Sequence, residues 1–295
     1  MKNEIDLSII IVSFNTKKII DNCLNSIFQS LKNSKFTSET IVIDNGSIDG
    51  SVDLIKQKYP QVRLNSNKTN LGFGKANNQG TLISKGNYLL FLNSDTVVIN
   101  CAIDKLYDFT KSNNGKMICG GKLFNLDMSP QPSCGPQYSL INIFIALFLK
   151  GDYFGLTRYS PNKITNVDWI MGACMMMSKN LFNTVGGFDE GIFMYMEEID
   201  FEYRARMLKF NIQFFPDAHF IHLGAASGEG RNRAILNVFK GFKYYYKKHF
   251  GFWKNILLNL ILISKSLISI LLFTIIINNS KKKLYLEALK ISVSK

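Results

Sequence analysis

The 295-residue chain is 46% hydrophobic, with only 6 Pro and 21 Gly. That apolar content excludes intrinsic disorder, and so little Pro and Gly excludes collagen-like or low-complexity sequence. The net charge of +13 is unevenly placed: residues 231–295 hold 13 Lys and Arg against the single acid Glu287, a balance of +12, and residues 1–230 are left at +1. The length suits one large α/β domain with appendages, or two small domains. Five cysteines (Cys23, Cys101, Cys119, Cys134 and Cys174) are odd in number and form no CxxC pair. They favour a reducing compartment over a disulfide framework or a zinc site.

Glu4 and Asp6 precede the first apolar run, so the N-terminus does not read as a signal peptide. Leu7–Val12 (LSIIIV) is a nearly continuous, β-branched run, as a buried parallel strand requires. Asn15–Ser30 carries Ile19, Ile20, Leu24, Ile27 and Phe28 at helical spacing. Thr40–Ile43 reads as a second strand, Ser51–Lys58 as a helix ended by Pro60, and Val62–Leu64 as a short strand. A helix near Lys75–Ser84 and the buried strand Tyr88–Leu92 (YLLFL) follow. This alternation predicts an α/β fold with a doubly wound, mainly parallel sheet and ligands at the C-terminal ends of its strands. Beyond Cys101 the pattern changes. Leu126–Pro136 is loop-like, and Tyr138–Leu149 is apolar but too short to cross a bilayer. Asp168–Ser178 (DWIMGACMMMS) reads as a buried strand, Glu197–Lys209 as a helix and Ile212–Phe215 as a strand.

In the basic tail, Ile256–Ile277 is an aliphatic stretch flanked by Lys254 and by Lys281, Lys282 and Lys283. As a helix it would extend about 33 Å, enough to cross a hydrocarbon core. Asn259, Lys265 and four hydroxyl residues oppose crossing, since a mid-span Lys costs roughly 2.5–3.5 kcal/mol. A helix lying in the interface with Lys265 snorkelling is the second reading, and a core helix packed on the body is the third. Most of the tail's Lys residues flank aliphatics rather than a stacking platform, so the expected partner is an anionic membrane surface and no nucleic acid.

Polar residues gather at the strand ends. Ser13-Phe14-Asn15 ends the first strand, and Asp44-Asn45-Gly46-Ser47 follows the second, where a carboxylate can accept from a ribose or a base N–H. Asp49 reads as a helix cap. The loop Asn70-Leu71-Gly72-Phe73-Gly74 enters a helix bearing Asn77 and Asn78. Its amides can approach a ligand, although a plain loop and cap would look the same. It is not GxGxxG, which argues against a nicotinamide-dependent oxidoreductase. Asn93-Ser94-Asp95 places a carboxylate at the sheet's ligand edge, either to hold a divalent ion against a diphosphate or to cap the next segment.

In order, the segments SIIIVSFN, IVIDNGSIDGS, NLGFGKANNQG, YLLFLNSD, GACMMMSK, GGFDEGIFMYMEEIDFEYRAR and HFIHLGAASG resemble the family 2 glycosyltransferases of GT-A fold. The likeness is particularly to the rhamnosyltransferase-like branch that builds surface polysaccharides. The resemblance implies a catalytic domain over residues 1–230, with a nucleotide-sugar half (1–100) and an acceptor half (101–230), followed by a helical, membrane-associating tail at 231–295. Ser13, Asn15, Asp44, Asn45 and Ser47 should then line the nucleoside pocket, and Gly72, Asn77 and Asn78 should border the nucleotide-sugar. Asp95 matches the last residue of a DxD-type motif and Asn93 replaces its first Asp. His222, beside Gly224 and Ser227, matches a late His, so Asp95 and His222 should hold a divalent cation, Mg2+ or Mn2+.

In the acidic run Glu197-Glu198-Ile199-Asp200, Glu198 stands where the family has an Asp base. Glu197 is the reserve: on a helix the two are about 100° apart and should not share one direction. Asp200 and Arg204, four residues apart, should pair as structural support. Trp169, Gly172 and Asp189 should form the acceptor side, with Trp169 stacking on a sugar or belonging to the core. The implied reaction is inverting transfer of a sugar, such as rhamnose, from a nucleotide-sugar donor to a glycan acceptor linked to polyprenyl diphosphate. Its place would be the cytoplasmic face of the membrane, with the protein peripheral or held by a single C-terminal segment. A catalytically inactive scaffold or nucleotide-sugar-binding protein is the alternative.

Overall fold

The computed structural model describes residues 5–224 and 230–294, so Glu4 and Ser227 lie outside the described residues. The first half runs β1 (Ile5–Ser13), α1 (Lys17–Leu31), β2 (Ser38–Asp44), α2 (Ser51–Lys58), β3 (Arg63–Ser66), α3 (Phe73–Ile83) and β4 (Gly86–Asn93). Next come β5 (Thr96–Ile99), α4 (Ala102–Ser112), β6 (Met117–Phe124), β7 (Pro130–Gln131), β8 (Cys134–Gly135) and α5 (Leu140–Phe148). The chain continues through β9 (Thr165–Asn166), β10 (Trp169–Ile170), β11 (Cys174–Ser178), α6 (Lys179–Val185), α7 (Glu197–Met207) and β12 (Asn211–His222). It ends in α8 (Gly230–His249), α9 (Phe252–Ile275) and α10 (Asn279–Val293).

A central, mostly parallel sheet orders β3-β2-β1-β4-β11-β6-β12-β5. β1 pairs parallel with both β2 and β4, and β12 with β6, whereas β11 runs antiparallel between β4 and β6. Side-chain alternation along β1 sorts the core into two layers. Ile9 and Ile11 pack with Ile20, Leu24 and Ile27 of α1, while Ile10 joins Phe91, Phe182 and Phe201 on the other face. The buried positions of α1 (Ile20, Cys23, Leu24, Ile27) repeat at three and four residues, as its sequence predicts. It starts at Lys17 rather than Asn15 because Asn15 has φ 53°, outside the helical region.

Two expectations change, and one strand is added that the sequence pattern does not announce. Asp168–Ser178 is two strands in different sheets, β10 against β8 and β11 against β4, joined by a turn through Gly172. β6 (MICGGKLF) carries two glycines that mask its strand signal. At Gly120 a Cβ would lie 2.8 Å from the Ile170 side chain, so close strand packing requires the glycine. The strand expected at Ile212–Phe215 continues through Pro216 to His222. A register shift between Phe215 and His219 accommodates the proline, which has no N–H to donate to a ladder.

The tail is not an appendage. Ile143, Trp169, Met196 and Ile199 share a core cluster with Phe239, Phe242, Tyr245, Leu258, Leu262 and Ala288. The boundary at residue 231 therefore divides composition but not packing. α9 buries one face through Leu258, Leu262, Ser266 and Ser269 and leaves Leu260, Leu267, Ile268 and Leu271 exposed. Lys265 Nζ donates to the Leu147 carbonyl at the end of α5, 2.6 Å away. The mid-helix charge thus has a partner on the body, an end carbonyl of a neighbouring helix.

Candidate active site

A cavity of about 380 Å³ opens at the C-terminal ends of β1 and β4, where the strand order turns back. Val12 and Phe14 follow from β1, Asn45 from β2, and Asn93, Ser94 and Asp95 from β4; all line it. The extension of β12 brings His222 into the same wall, its backbone register set by pairing with Thr96. His222 Nδ1 lies 2.7 Å from Gln131 Oε1, and its Nε2 lies 3.3 Å from the Asn93 amide nitrogen. That Nε2 is 3.4 Å from Asp95 Oδ1. A carboxylate oxygen and an imidazole nitrogen facing each other in a largely buried wall are a donor set that a divalent cation would satisfy. Among the described residues no group of three or more His, Cys, Asp or Glu side chains converges, so the protein donors here would be these two.

The other wall is the N-terminus of α7. Glu197 and Glu198 both line the cavity. Their 100° separation does not part them: both belong to the first turn of α7 and both line this one cavity. Oε2 of each carboxyl is shielded from solvent and without a hydrogen-bond partner. Burial pushes Glu198 above the ordinary glutamate value of 4.5, while its own backbone N–H, the Arg158 charge and the amides of Gly172 and Met196 pull it back. Burial, aided by the neighbouring Glu198, holds Glu197 well above that value. One turn on, Glu202 accepts from Ile170 N–H at 2.9 Å, and burial raises it well above 4.5.

Of the residues expected to line the nucleoside pocket, Asn45 faces the cavity and the others brace the loops behind it. Ser47 Oγ accepts from Asn15 N–H (2.8 Å), and Asn15 Oδ1 accepts from Ile48 N–H (2.9 Å). Ser13 is buried against Thr16. Asp44 Oδ2 accepts from the amides of Gly46 and Ser47, whereas its buried Oδ1 has no partner among the described residues. Gly72, Asn77 and Asn78 also stand off the wall. Gly72, at φ 88°, passes so close to the 191–196 loop that a Cβ would lie 2.3 Å from the Phe193 carbonyl. Asn77 donates to the Phe73 carbonyl, and Asn78 both donates to and accepts from the backbone of Phe188.

On the acceptor side Gly172 lines the cavity but Trp169 and Asp189 do not. Trp169 is 3% exposed, stacked on Tyr138, with Nε1 donating to the Pro136 carbonyl. Its aromatic face is taken, and it belongs to the core. Asp189 is drawn away by Lys248 of α8, 2.5 Å distant, and by the Tyr244 hydroxyl. In front of Trp169 stands Arg158, a lining residue the sequence reading missed, because it lies in an irregular segment with no motif around it. Phe14, inside SIIIVSFN, was within reach of a motif but reads from sequence as a strand-end hydrophobe.

The family model for glycosyl transferase family 2 matches residues 8–186. An N-acetylglucosaminyl-diphospho-decaprenol L-rhamnosyltransferase of Mycobacterium tuberculosis is 29% identical over 237 residues, covering 72% of this chain and 76% of its own. Rhamnosyltransferase WbbL of Escherichia coli is 28% identical over 192 residues, covering 61% of this chain and 69% of its own. Low-salt glycan biosynthesis hexosyltransferase Agl10 of Haloferax volcanii is 30% identical over 215 residues, covering 70% and 64%. The crystal structure of S. aureus TarS 1–349 superposes with a TM-score of 0.58 at 16% identity, over 98% of this chain and 80% of that one. This is a likeness of fold.

Proposed function

Given that the chain belongs to glycosyl transferase family 2 and is a glycosyltransferase, we propose that it moves a sugar, with inversion, from a nucleoside-diphosphate sugar to a lipid-linked glycan. The observation that carries this reading is the meeting, in one cavity, of the Asp95–His222 pair and the unpartnered carboxyls of Glu197 and Glu198. When bound at Asp95 and His222, Mg2+ or Mn2+ would offset the charge of the leaving diphosphate. The nucleoside lies toward Asn45 and Phe14, with Asp44 keeping a buried acceptor oxygen free behind them. Glu198 takes the acceptor hydroxyl proton as that oxygen attacks the anomeric carbon, and its raised affinity for protons suits a general base. A single displacement with one base inverts the anomeric centre.

The names of the M. tuberculosis and E. coli relatives support a deoxysugar such as rhamnose, and the former supports an acceptor carried on a polyprenyl diphosphate. The exposed aliphatic face of α9 and the tail's +12 balance support a peripheral position on the cytoplasmic leaflet. The test is a panel of nucleotide-sugars with the full chain, its Glu198→Gln variant and its Asp95→Ala variant. Glu198→Gln is expected to lower turnover roughly 10²–10⁴-fold with donor binding kept. Asp95→Ala is expected to abolish transfer together with metal-dependent nucleotide binding. If Glu197→Gln shows the loss instead, the base is one residue earlier. A wild-type protein that neither transfers nor hydrolyses any sugar overturns the reading and leaves a nucleotide-sugar-binding scaffold.

A further inference from the structure

Arg158 is half-buried, lines the cavity and has no hydrogen-bond or ion-pair partner among the described residues; its Nε is shielded from solvent and unsatisfied. A guanidinium left in that condition costs free energy unless an anion completes it. Its position is firmly set. Next to it, Tyr159 exchanges backbone hydrogen bonds with Cys134 of β8 (2.9 and 3.2 Å), and the guanidinium carbon lies 5.6 Å from the Trp169 ring centroid. The buried indole therefore acts as a platform that orients the charged fork. Arg158 and Glu198 line the same cavity, and the Arg158 charge bears on Glu198 and on the half-buried Tyr138 phenol, which puts it on the base's side, where the acceptor hydroxyl must arrive.

The segment leading into Arg158 has a second property. α5 and the turn after it expose Ile141 (71%), Phe144, Leu149, Tyr153 (83%), Phe154 and Leu156. Lys265 ties this segment to α9, whose outer face is likewise aliphatic. One stretch, residues 140–158, thus carries apolar side chains outward and a lone guanidinium inward. We propose that Arg158 is the binding residue for the acceptor's own diphosphate, the group joining its sugar to its lipid, while the apolar residues of the same stretch receive the lipid. Guanidinium suits this task because its parallel N–H groups match two phosphate oxygens at once. The inference rests on the acceptor class proposed above and adds the residue and the chemical group that it reads.

The test separates the two. Geranyl diphosphate is titrated into the full chain with Mg2+, and with UDP, dTDP and GDP together filling the donor side. The wild-type protein is expected to bind it at least tenfold more tightly than geraniol. Arg158→Gln is expected to weaken the diphosphate about tenfold to a hundredfold, and Arg158→Lys, which keeps charge without the fork, to fall between. In turnover, Arg158→Gln should reduce by the same factor the preference for a lipid-diphosphate-linked sugar over an alkyl glycoside of that sugar. Equal affinity of the wild-type protein for geranyl diphosphate and geraniol overturns the proposal. So does loss of geranyl diphosphate binding through competition with the nucleotides, which would place the ligand on the donor side. The comparison with geraniol needs no variant, so it decides even if Arg158→Gln fails to fold. Absence of sugar transfer by the wild-type protein would overturn the reaction class instead, and the titration is read without turnover.

Discussion

At the scale of single residues, the first turns of α7 concentrate three carboxyls whose proton affinity burial raises: Glu197, Glu198 and Glu202. A base works deprotonated, so kcat/KM should fall on acidification, with its acid limb above the ordinary glutamate value. Arg158 pulls Glu198 down, so Arg158→Gln should move that limb to higher pH; a limb that stays in place would show the charge does not reach the base. Glu202 is fully buried. A carboxyl whose folded pKa exceeds its unfolded value contributes its full stability below the unfolded value and loses it as pH rises through the folded one. Glu202→Gln keeps an oxygen for the Ile170 N–H and cannot ionise. Its stability relative to wild type should therefore rise as the pH climbs above the ordinary glutamate value. Thermal melts across that range check it, and a pH-independent difference would contradict it. The acidic run was legible in the sequence, but burial, which makes these carboxyls unusual, was not.

Among the elements, α7 owes its position to α8. The Asp200–Arg204 pair expected from four-residue spacing forms at 2.8 Å. Asp200 also receives Lys248 Nζ (2.8 Å) and His249 Nε2 (2.6 Å), both from the end of α8. Those partners lie 48 and 49 residues downstream, so no local pattern announces them. The cap of α7 needs this support. Tyr195 and Met196 have φ 66° and 81°, a costly conformation for such side chains. Gly241 of α8 packs directly on Met196, where a Cβ would meet its Cγ at 2.6 Å. Asp200→Asn takes the carboxylate from Arg204 and Lys248, of which only Lys248 keeps a second one, Asp189. Removing one partner of a buried pair costs 3–5 kcal/mol. With Lys248 and Arg204 partly exposed, a loss of about 2–3 kcal/mol in denaturant melts is expected. Turnover should fall with it, since the clamp orients the helix that carries Glu198. A variant as stable and active as wild type would show that α7 holds its cap without α8.

For the whole molecule, the proposed membrane position now has a surface: the outer face of α9 with α5 and the turn at Tyr153–Leu156. Because α9 lies against α5, α8 and α10, docking parallel to the membrane is the reading its packing supports. The full chain should co-sediment with anionic vesicles, less so at high salt, and be released by alkaline washing. Resistance to washing would indicate a span, and no affinity for vesicles would remove the membrane from the account. Ending the chain near Lys254 would strip Leu258, Leu262 and Ala288 from the cluster they share with Trp169 and Met196. Such a shortened chain should therefore lose stability rather than gain solubility. By itself the sequence determined the parallel first half of the sheet, the polar strand ends and the acidic start of α7. These are encoded by period, turn chemistry and motif order over a few neighbouring residues. Tertiary structure alone decided that Trp169 is core while Arg158 faces the cavity, and that Asp189 and Asp200 hold the tail. Each depends on side chains from distant segments sharing a limited buried space, where a partner's position settles which group stays available for chemistry.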